Sequence, residues 1–314
     1  MTAVLVTGGS GFIGSAIVRG MSAAGHEVVA PYRPTDVPPR LAEIAAKVRL
    51  APGVSITNGE GLDRLLEATR PSWVVHAAAA GVRPGTADAA TMTDVNVGGT
   101  VRVLESAIRH GVSRMILLGS GFEYRPSEAP LGEDAPVGPT TIYGASKAAA
   151  SVMATQYRDF EGAEVTVVRL FSVYGPRESP GRFVANAITK ALEGAPIDMS
   201  SGAQVRDYLY VGDAAEAVIR LLSMAERPPA AVNVVGPERH SLREVAETVV
   251  ELTGNRSVVR AGTRAPNPGD RSTFLGNGDL LDRVLGWRPA RGLRSGLSDT
   301  IDWYDRNRGT WNAH

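Results

Sequence analysis

The stretch MTAVLVTGGSGFIGSAIVRG (residues 1–20) predicts a strand, a glycine-rich turn and a helix in immediate succession. It begins with a short apolar run, and its end has the apolar spacing of a helix. Between them, Gly8, Gly11 and Gly14 stand three residues apart. A turn this tight needs positive φ at some positions, which glycine adopts readily. Such a turn brings free helix N–H groups close to a phosphate, so the stretch predicts a dinucleotide-binding fold.

Apolar segments that are typical of buried parallel strands recur along the chain and alternate with helical patterns. The predicted strands are Ala3–Thr7, Glu27–Ala30, Val48–Leu50, Trp73–His76, Arg114–Leu118, Glu164–Leu170 and Ala231–Val235. The predicted helices are Ile13–Ala24, Gly61–Ala68, Thr93–His110, Ser146–Phe160, Val184–Glu193 and a segment over 243–254 that Ser241 caps. This alternation predicts an α/β fold with a doubly wound parallel sheet of the Rossmann type.

The regular alternation of strands and helices ends after Phe171, where the segment SVYGPRESPGRF (172–183) is rich in Gly, Pro and Ser. We therefore expect a smaller C-terminal α+β lobe for the substrate, with the chain returning to the sheet around 208–235. The predicted division assigns residues 1–171 and 203–235 to the dinucleotide-binding domain and residues 172–202 and 236–314 to the substrate lobe.

Composition narrows the classes of partner. The 314 residues carry 33 Lys plus Arg and 33 Asp plus Glu, and this zero net charge favours neither nucleic acid nor a membrane surface as a partner. The absence of cysteine excludes disulfides and thiolate metal sites. The five histidines are scattered without metal-ligand spacing, and no apolar run is long enough to span a bilayer. We expect a cytoplasmic protein without a metal site.

The end of the second predicted strand bears on the choice between NAD(H) and NADP(H). An acidic residue there would bind the ribose hydroxyls and repel a 2′-phosphate. This chain has Tyr32 at that place, followed by Arg33, whose guanidinium group matches a phosphate bidentately. The sequence therefore favours NADP(H). NAD(H) stays open, because Asp36 could accept a hydrogen bond from the ribose.

Three polar residues form a candidate catalytic set. Tyr143 and Lys147 stand four residues apart in PTTIYGASKAAASVM (139–153), which would place them on one helix face. A neighbouring ammonium group, like the positive nicotinamide ring, favours the phenolate and would lower the tyrosine pKa, which suits acid–base catalysis at a carbinol. Ser120 ends the strand RMILLGS (114–120), at the sheet edge where ligands bind, and could hydrogen-bond a reacting carbonyl.

Together these residues resemble the extended short-chain dehydrogenase/reductase superfamily, in its NAD-dependent epimerase/dehydratase branch. The resemblance covers nearly the whole chain. Besides the strand that ends at Ser120, it is carried by TGGSGFIG (7–14), VVHAAA (74–79), DVNVGGT (94–100), YGASK (143–147), VVRLFSVYGP (167–176), QVRDYLYVGD (204–213), PGD (268–270) and LGWRP (285–289).

The resemblance implies a role for each matching position. Ser120, Tyr143 and Lys147 would form the catalytic triad. The residues implied for the cofactor, beside Tyr143 and Lys147, are Gly8, Gly11, Phe12, Ile13, Gly14, Arg33, Ser55, Ile56, Ala77, Ala78 and Ala79. His76 would line the cofactor with the three alanines, and Asn96 would be a structural part of its helix. Ser55 stands where the family usually has Asp.

The resemblance also implies a nucleoside diphosphate sugar as the substrate, bound between the sheet and the small lobe. The residues implied for it are Gly121, Phe122, Ser172, Arg182, Phe183, Arg206 and Arg271. Arg206 matches the arginine that usually binds the diphosphate or the nucleotide, and Ser172 stands where Asn is common. Family members often dimerise through helices around 148–154, so a homodimer is possible.

Several reactions remain open. The 4,6-dehydratases of this family need an acid and a base just after the hydroxyl residue, and Gly121 and Phe122 disfavour that reaction here. The preferred prediction is NADPH-dependent reduction of a nucleotide-linked 4-keto-6-deoxyhexose at C4, which Arg33 and GSGFEY (119–124) support. The alternatives are a sugar-nucleotide 4-epimerase with tightly bound NAD(P)+, a ketone reductase of a non-sugar substrate and a non-catalytic dinucleotide sensor.

Overall fold

The computed structural model describes residues 2–33, 36–82, 85–265 and 270–309. Pro34 and Thr35, which follow Arg33, and Pro268 and Gly269 of the PGD motif lie outside the described residues. In chain order, the strands are β1 (Ala3–Thr7), β2 (Glu27–Tyr32), β3 (Arg49–Pro52), β4 (Trp73–His76), β5 (Arg114–Ser120), β6 (Val165–Leu170), β7 (Ser172–Tyr174), β8 (Ile197–Asp198), β9 (Val205–Tyr210), β10 (Ala231–Val234), β11 (Arg239–Ser241), β12 (Val259–Arg260) and β13 (Thr273–Phe274).

The α-helices alternate with these strands through most of the chain. They are α1 (Phe12–Ala23), α2 (Gly59–Thr69), α3 (Ala89–Met92), α4 (Gly99–Arg109), α5 (Ile142–Phe160), α6 (Phe183–Leu192), α7 (Val211–Leu222), α8 (Leu242–Leu252), α9 (Asp279–Leu285) and α10 (Leu293–Arg306). A π-helical segment, Thr93–Gly98, joins α3 to α4, and Pro39–Lys47 and Gly121–Glu123 form 3₁₀ turns. None of the described helices is both long enough and apolar enough to cross a membrane.

The large sheet confirms the predicted fold class. Its seven strands run in the order β10-β6-β5-β4-β1-β2-β3, and all its neighbouring pairs are parallel. These are the seven strands that the apolar runs predict. The chain winds outwards from β1 to β3 in one direction and from β4 to β10 in the other, so the order reverses between β1 and β4. Ligands of doubly wound sheets bind beside such a switch point, at the carboxyl ends of the strands.

A second, smaller sheet corrects one of the predicted domain boundaries. In this sheet β9 pairs with β7, β11 and β13, so residues 205–210 do not belong to the large sheet, although we expected the segment from 203 to be part of it. The chain leaves the large sheet after Leu170, and the short β7 that follows offers β9 a parallel partner. The return to the large sheet is made by α7, which packs on α1, and by β10. The other domain boundaries stay predictions.

The glycine-rich turn joins β1 to α1, and its glycines are required for two different reasons. Gly8 has a φ of +70°, and a Cβ atom there would lie 2.4 Å from the Ala78 nitrogen. A Cβ atom on Gly14 would lie 2.1 Å from the Gly8 carbonyl oxygen. Gly11 is the N-cap of α1 and has an ordinary φ of −77°, with no side-chain cap on the helix. The first N–H groups of α1 are therefore not covered by a capping side chain.

Candidate active site

Three adjoining cavities form a groove along the carboxyl ends of the central strands. The first cavity, of about 640 Å³, is lined by the glycine-rich turn, the end of β2 and residues 54–57 and 77–82. The second, of about 340 Å³, is lined by Gly8, residues 11–14, Ser120, Tyr143 and Lys147. The third, of about 510 Å³, lies between the large sheet and the second sheet. The shared lining residues are Gly8, Gly11, Ala77, Ala79 and Val82 for the first pair of cavities, and Phe122, Phe171, Val173, Glu178 and Arg182 for the second pair.

The first cavity contains most of the residues that the sequence assigns to the adenosine half of the cofactor. Arg33, Ser55 and Ile56 line it, as do Ala77, Ala78 and Ala79. Arg33 is exposed, and it forms no hydrogen bond or ion pair within the part of the chain that the structure describes. Asp36, the alternative ribose acceptor, is exposed and does not line this cavity.

Asn96 fixes the loop that follows β4. Its side-chain oxygen accepts the Ala80 N–H at 2.7 Å, and its nitrogen donates to the Ala80 carbonyl at 3.0 Å and to the Ser146 hydroxyl at 2.8 Å. Because Ser146 precedes Lys147 on α5, one buried amide connects the loop after β4 (residues 77–82, called the cofactor loop below) with the helix that carries the candidate catalytic residues.

His76 lies beneath the cofactor loop instead of beside the groove. Its ring nitrogens contact Thr7 Oγ1 at 2.6 Å and Thr100 Oγ1 at 3.1 Å, and the residue is buried. It lines neither the first nor the second cavity, which corrects its expected place beside the alanines. Burial, together with the nearby charge of Lys147, lowers the pKa of His76 to about 3. The imidazole is therefore neutral and belongs to the core under the site.

Ser120, Tyr143 and Lys147 meet in the second cavity. Ser120 ends β5, while Tyr143 and Lys147 lie in the first two turns of α5, whose N-cap Thr141 accepts the Gly144 N–H at 3.0 Å. Tyr143 follows this cap by only two residues, so the start of the helix sets the position of its ring. The structure thus brings together three residues that the sequence separates by up to 27 positions.

The pKa of Tyr143 shifts upwards in the protein, whereas the sequence led us to expect a decrease. Burial raises it to about 12 and the charge of Glu123 adds to the increase, while Arg182 and a hydrogen bond with Ser120 oppose it. Burial lowers the pKa of Lys147 to about 8, against the effect of Glu123. Near neutral pH, Tyr143 therefore holds its proton and can donate it, and most Lys147 side chains remain charged.

Glu123 holds the turn that presents Ser120. Its carboxylate is fully buried, accepts the Ser120 N–H at 2.7 Å and accepts Arg169 Nε at 2.8 Å, while the Ser120 hydroxyl accepts the Phe122 N–H. This is a capping box, and the S-x-x-E pattern of residues 120–123 is the local sequence signal that indicates it. Glu123 lines none of the three cavities, so it does not replace the acid or base that a dehydratase needs.

Aromatic rings separate the triad from the small sheet. Phe122 stacks on Phe274 with ring centroids 4.6 Å apart, and Phe171 lies 5.0 Å from Phe274. All three rings line the third cavity, and the Phe122 ring also meets Tyr143 edge-on at 6.4 Å. Together, Phe122, Phe171 and Phe274 form what we call the aromatic wall. Gly121 does not line these cavities. A Cβ atom there would lie 2.7 Å from the Phe171 ring, so this glycine makes room for the wall.

The remaining residues predicted to bind substrate divide into two groups. Ser172, Arg182, Phe183 and Arg206 line the third cavity. Arg271 does not: its buried guanidinium group lies 5.1 Å from the Phe122 ring centroid and donates to the Tyr124 carbonyl at 3.1 Å. Burial and the nearby Arg206 lower the pKa of Arg271. Its position supports the loop after β5 from behind.

Two acidic residues of the third cavity have no counterpart among the predicted site residues. Asp270 accepts Arg206 Nη2 at 2.7 Å, and Glu178 accepts Arg182 Nε at 3.3 Å. Glu178 is 3% exposed and lines both the second and the third cavity. Both guanidinium groups that line the third cavity are therefore paired with carboxyl groups. Glu178 lies within residues 172–183, which the sequence predicts to be a loop, and nothing in the local sequence marks this residue as part of a site.

Comparison with known proteins identifies the group to which this arrangement belongs. A family model described as the NAD dependent epimerase/dehydratase family matches residues 4–235. The chain belongs to the NAD-dependent epimerase/dehydratase family. It is therefore an enzyme of the short-chain dehydrogenase/reductase type with an NAD-type cofactor.

Relatives in this family differ in the reaction that they catalyse. A probable UDP-glucuronate 4-epimerase of Rhizobium meliloti is 29% identical, with 96% of this chain and 97% of that protein covered. A dTDP-glucose 4,6-dehydratase of Streptomyces griseus is 30% identical, with 99% and 96% covered. The crystal structure of UDP-glucose 4-epimerase from Thermus thermophilus in complex with NAD has a TM-score of 0.86 and 31% identity, over 97% of this chain and 99% of that one.

The buried pair of Glu123 and Arg169 gives a stability prediction. Glu123→Ala leaves a buried guanidinium group unpaired and removes the acceptor of the Ser120 N–H, so we expect a loss of about 3–5 kcal/mol in the free energy of unfolding, measured by urea denaturation. The matched control is Glu164→Ala, which breaks the more exposed pair with Arg114 and is expected to cost less than about 1 kcal/mol. Equal losses in the two variants would contradict the structural role assigned to Glu123.

Proposed function

We propose that this enzyme is an NADPH-dependent reductase that acts on C4 of a nucleoside diphosphate-4-keto-6-deoxyhexose. The observation that carries the proposal is the continuous groove, which connects the glycine-rich turn to Ser120, Tyr143 and Lys147 and then to a cavity lined by Arg182 and Arg206. The cofactor, the reacting carbon and the anionic diphosphate of the substrate would thus lie one after another along the groove.

The residues of the groove fit a dinucleotide. A Cβ atom on Gly8 or Gly14 would collide with the backbone of Ala78 or Gly8, so the turn needs glycine at both positions to fold this tightly. The start of α1 offers N–H groups to a pyrophosphate. Bound NADPH supplies the hydride. Tyr143, which is protonated at neutral pH, donates its proton to the C4 oxygen, while the Ser120 hydroxyl donates a hydrogen bond to the same oxygen. Lys147 would hold the ribose of the bound cofactor and would stabilise the phenolate that forms when Tyr143 gives up its proton.

Dehydration is not proposed, although a dTDP-glucose 4,6-dehydratase is among the relatives. The positions that follow Ser120 carry no side chain at Gly121 and a phenyl ring at Phe122, and neither can transfer a proton. The next acid, Glu123, is fully buried and bound to Arg169. The elimination of water from a sugar would therefore have no acid–base pair at this place.

A 4-epimerase with a retained cofactor is the second candidate. Arg40 lines the second cavity and donates to the Arg177 carbonyl at 2.9 Å and to the Ser179 hydroxyl at 3.0 Å. These bonds join the segment after β2 to the loop after β7 beside the cofactor groove. A groove connected in this way favours retention of the cofactor between turnovers, which epimerisation requires and reduction does not.

Measuring the bound cofactor and the NADPH consumed by the purified enzyme distinguishes the two reactions. With a 4-keto-6-deoxy sugar nucleotide, we expect one NADPH oxidised for each substrate reduced. Tyr143→Phe should lower turnover by roughly 10²–10⁴-fold, because the proton donor is lost, while NADPH still binds. Tightly bound NAD(P)+ and interconversion of sugar nucleotides without net NADPH oxidation would instead establish the epimerase. Undiminished turnover in Tyr143→Phe would refute the role of the phenol.

Arg33 provides the test of cofactor preference. Arg33→Asp places a carboxylate at the first cavity, where it would repel a 2′-phosphate and accept hydrogen bonds from a free ribose. We expect the KM for NADPH to rise roughly 10–100-fold, with little change or a decrease for NADH. The control is Arg49→Asp on β3, an exposed position outside the three cavities. An equal effect of Arg33→Asp on both cofactors would remove the argument for NADP(H).

We also propose that the enzyme forms a homodimer through α5. Val152 is 53% exposed and Phe160 is 79% exposed, and both lie on one helix face with the exposed Ala149. Two such faces of small and apolar residues can pack closely. Light scattering should give twice the chain mass for the native protein and a shift towards the single-chain mass for Val152→Glu. A native protein of single-chain mass at micromolar concentration would contradict the proposal.

A further inference from the structure

Glu178 is a buried carboxyl group at the boundary between the catalytic and the substrate cavities. It lies in the loop between β7 and α6 and is 3% exposed. One of its oxygens accepts Arg182 Nε at 3.3 Å. The other, Oε2, is buried and has no hydrogen-bond partner within the described residues. An ionised carboxylate held in this way is costly, because this oxygen is buried and has no donor among the described residues.

The backbone of Glu178 is held on two sides, so the carboxyl group has little freedom to move into water. Its N–H donates to the Gly175 carbonyl at 3.3 Å, and its carbonyl accepts the hydroxyl of Tyr304 on α10. The preceding Arg177 has a left-handed φ of +70° and forms an ion pair with Glu43. The loop is therefore connected to elements on both sides of the groove.

The groups around the carboxyl determine how it titrates. The positive charges of Arg182 and Arg40 and the N–H group of Ala185 at the start of α6 favour its ionised form, and the hydroxyls of Tyr208 on β9 and Tyr304 on α10 lie near it. Burial raises the pKa of Glu178 to about 7, against the effect of both arginines and the N–H group. Burial also raises the pKa of both tyrosines, so they stay neutral at neutral pH while Glu178 titrates.

Arg182 connects this carboxyl to the reaction. Its side chain is 41% exposed and lines both the second and the third cavity, and its charge lowers the pKa of Tyr143. Arg206, the other guanidinium group lining the third cavity, is paired with Asp270 at 2.7 Å. A diphosphate that approached Arg182 would bring two negative charges close to Glu178 and would repel the carboxylate form.

We propose that Glu178 is a specificity-determining residue that must carry a proton when an anionic substrate binds, so that Arg182 is released from its carboxylate partner to bind the substrate's diphosphate. The inference rests on the proposed function only in taking a nucleoside diphosphate sugar as the substrate. One proton moves from solvent to the Glu178 carboxyl on binding and returns on release. Above neutral pH, the carboxylate keeps Arg182 paired and disfavours the anion.

The test is the pH dependence of sugar-nucleotide binding to the full chain. UDP-glucose and dTDP-glucose keep their charge between pH 6 and pH 8, so titration calorimetry in this range reports changes in the protein. For the native protein, we expect the Kd of the better ligand to rise about ten-fold from pH 6 to pH 8, with the increase beginning near pH 7. Glu178→Gln keeps the side-chain shape without ionising, and its Kd should change less than about three-fold and be about ten-fold lower than the native value at pH 8.

The control variant is Glu43→Gln, which removes a 61% exposed partner of the adjacent Arg177 and should keep the native pH profile. A second measurement uses the native protein alone: titrations at pH 8 in buffers of different ionisation enthalpy should show uptake of nearly one proton for each ligand bound. Binding with a flat pH profile and no proton uptake would overturn the inference and leave the proposed function intact. Binding of neither ligand at pH 6 would overturn both.

Discussion

The site depends on one buried ion pair, in which the Glu123 carboxylate holds the Ser120 N–H and the Arg169 guanidinium at once. Glu123 follows β5 and Arg169 lies on β6, so the pair joins neighbouring strands of the large sheet at their carboxyl ends. Arg169 also donates to the Tyr124 hydroxyl, which donates in turn to Asn233. Asn233 lies on β10, the strand that pairs with β6. Charges buried to this degree are stable only when every hydrogen bond is made, and the turn that presents Ser120 therefore has one conformation.

The aromatic wall follows from that turn. Because Glu123 faces the sheet, Phe122 faces the groove, where it meets Phe274 from the second sheet and Tyr143 from α5. Arg271 reaches the same loop from behind and binds its backbone. Three separate parts of the chain thus define the place where a sugar carbon would meet the phenol. The same turn carries Gly121 and Phe122 directly after Ser120, and neither residue has an acidic or basic side chain.

The pKa values and positions of the titratable side chains around this groove depend more on burial in the fold than on neighbours in the sequence. The four-residue spacing of Tyr143 and Lys147 suggested a phenol with a lowered pKa, but burial and Glu123 raise it. His76 stands beside the cofactor motif in the sequence, yet β4 turns its ring inwards to Thr7 and Thr100. Glu178 shows no recognisable pattern, and its titration near neutral pH comes entirely from the elements packed around it. Each of these properties depends on distances across the fold.

The amino-acid sequence alone determined the seven strands of the large sheet, the doubly wound fold class and the glycine-rich turn, because hydrophobic periodicity and glycine sterics act over a few residues. That Ser120, Tyr143 and Lys147 would form one site followed from the resemblance to a known family. The sequence did not show that residues 205–210 form the centre of a second sheet, since a strand's partner depends on which other edge is free. The local S-x-x-E pattern indicates the bond between Glu123 and the Ser120 N–H, but only the tertiary structure decided that Glu123 is buried against Arg169. It also decided that Arg271 lies behind the wall and that Glu178 lines the groove. Burial and the pairing of charges between strands are properties of the assembled chain, because they depend on distances that no local pattern contains.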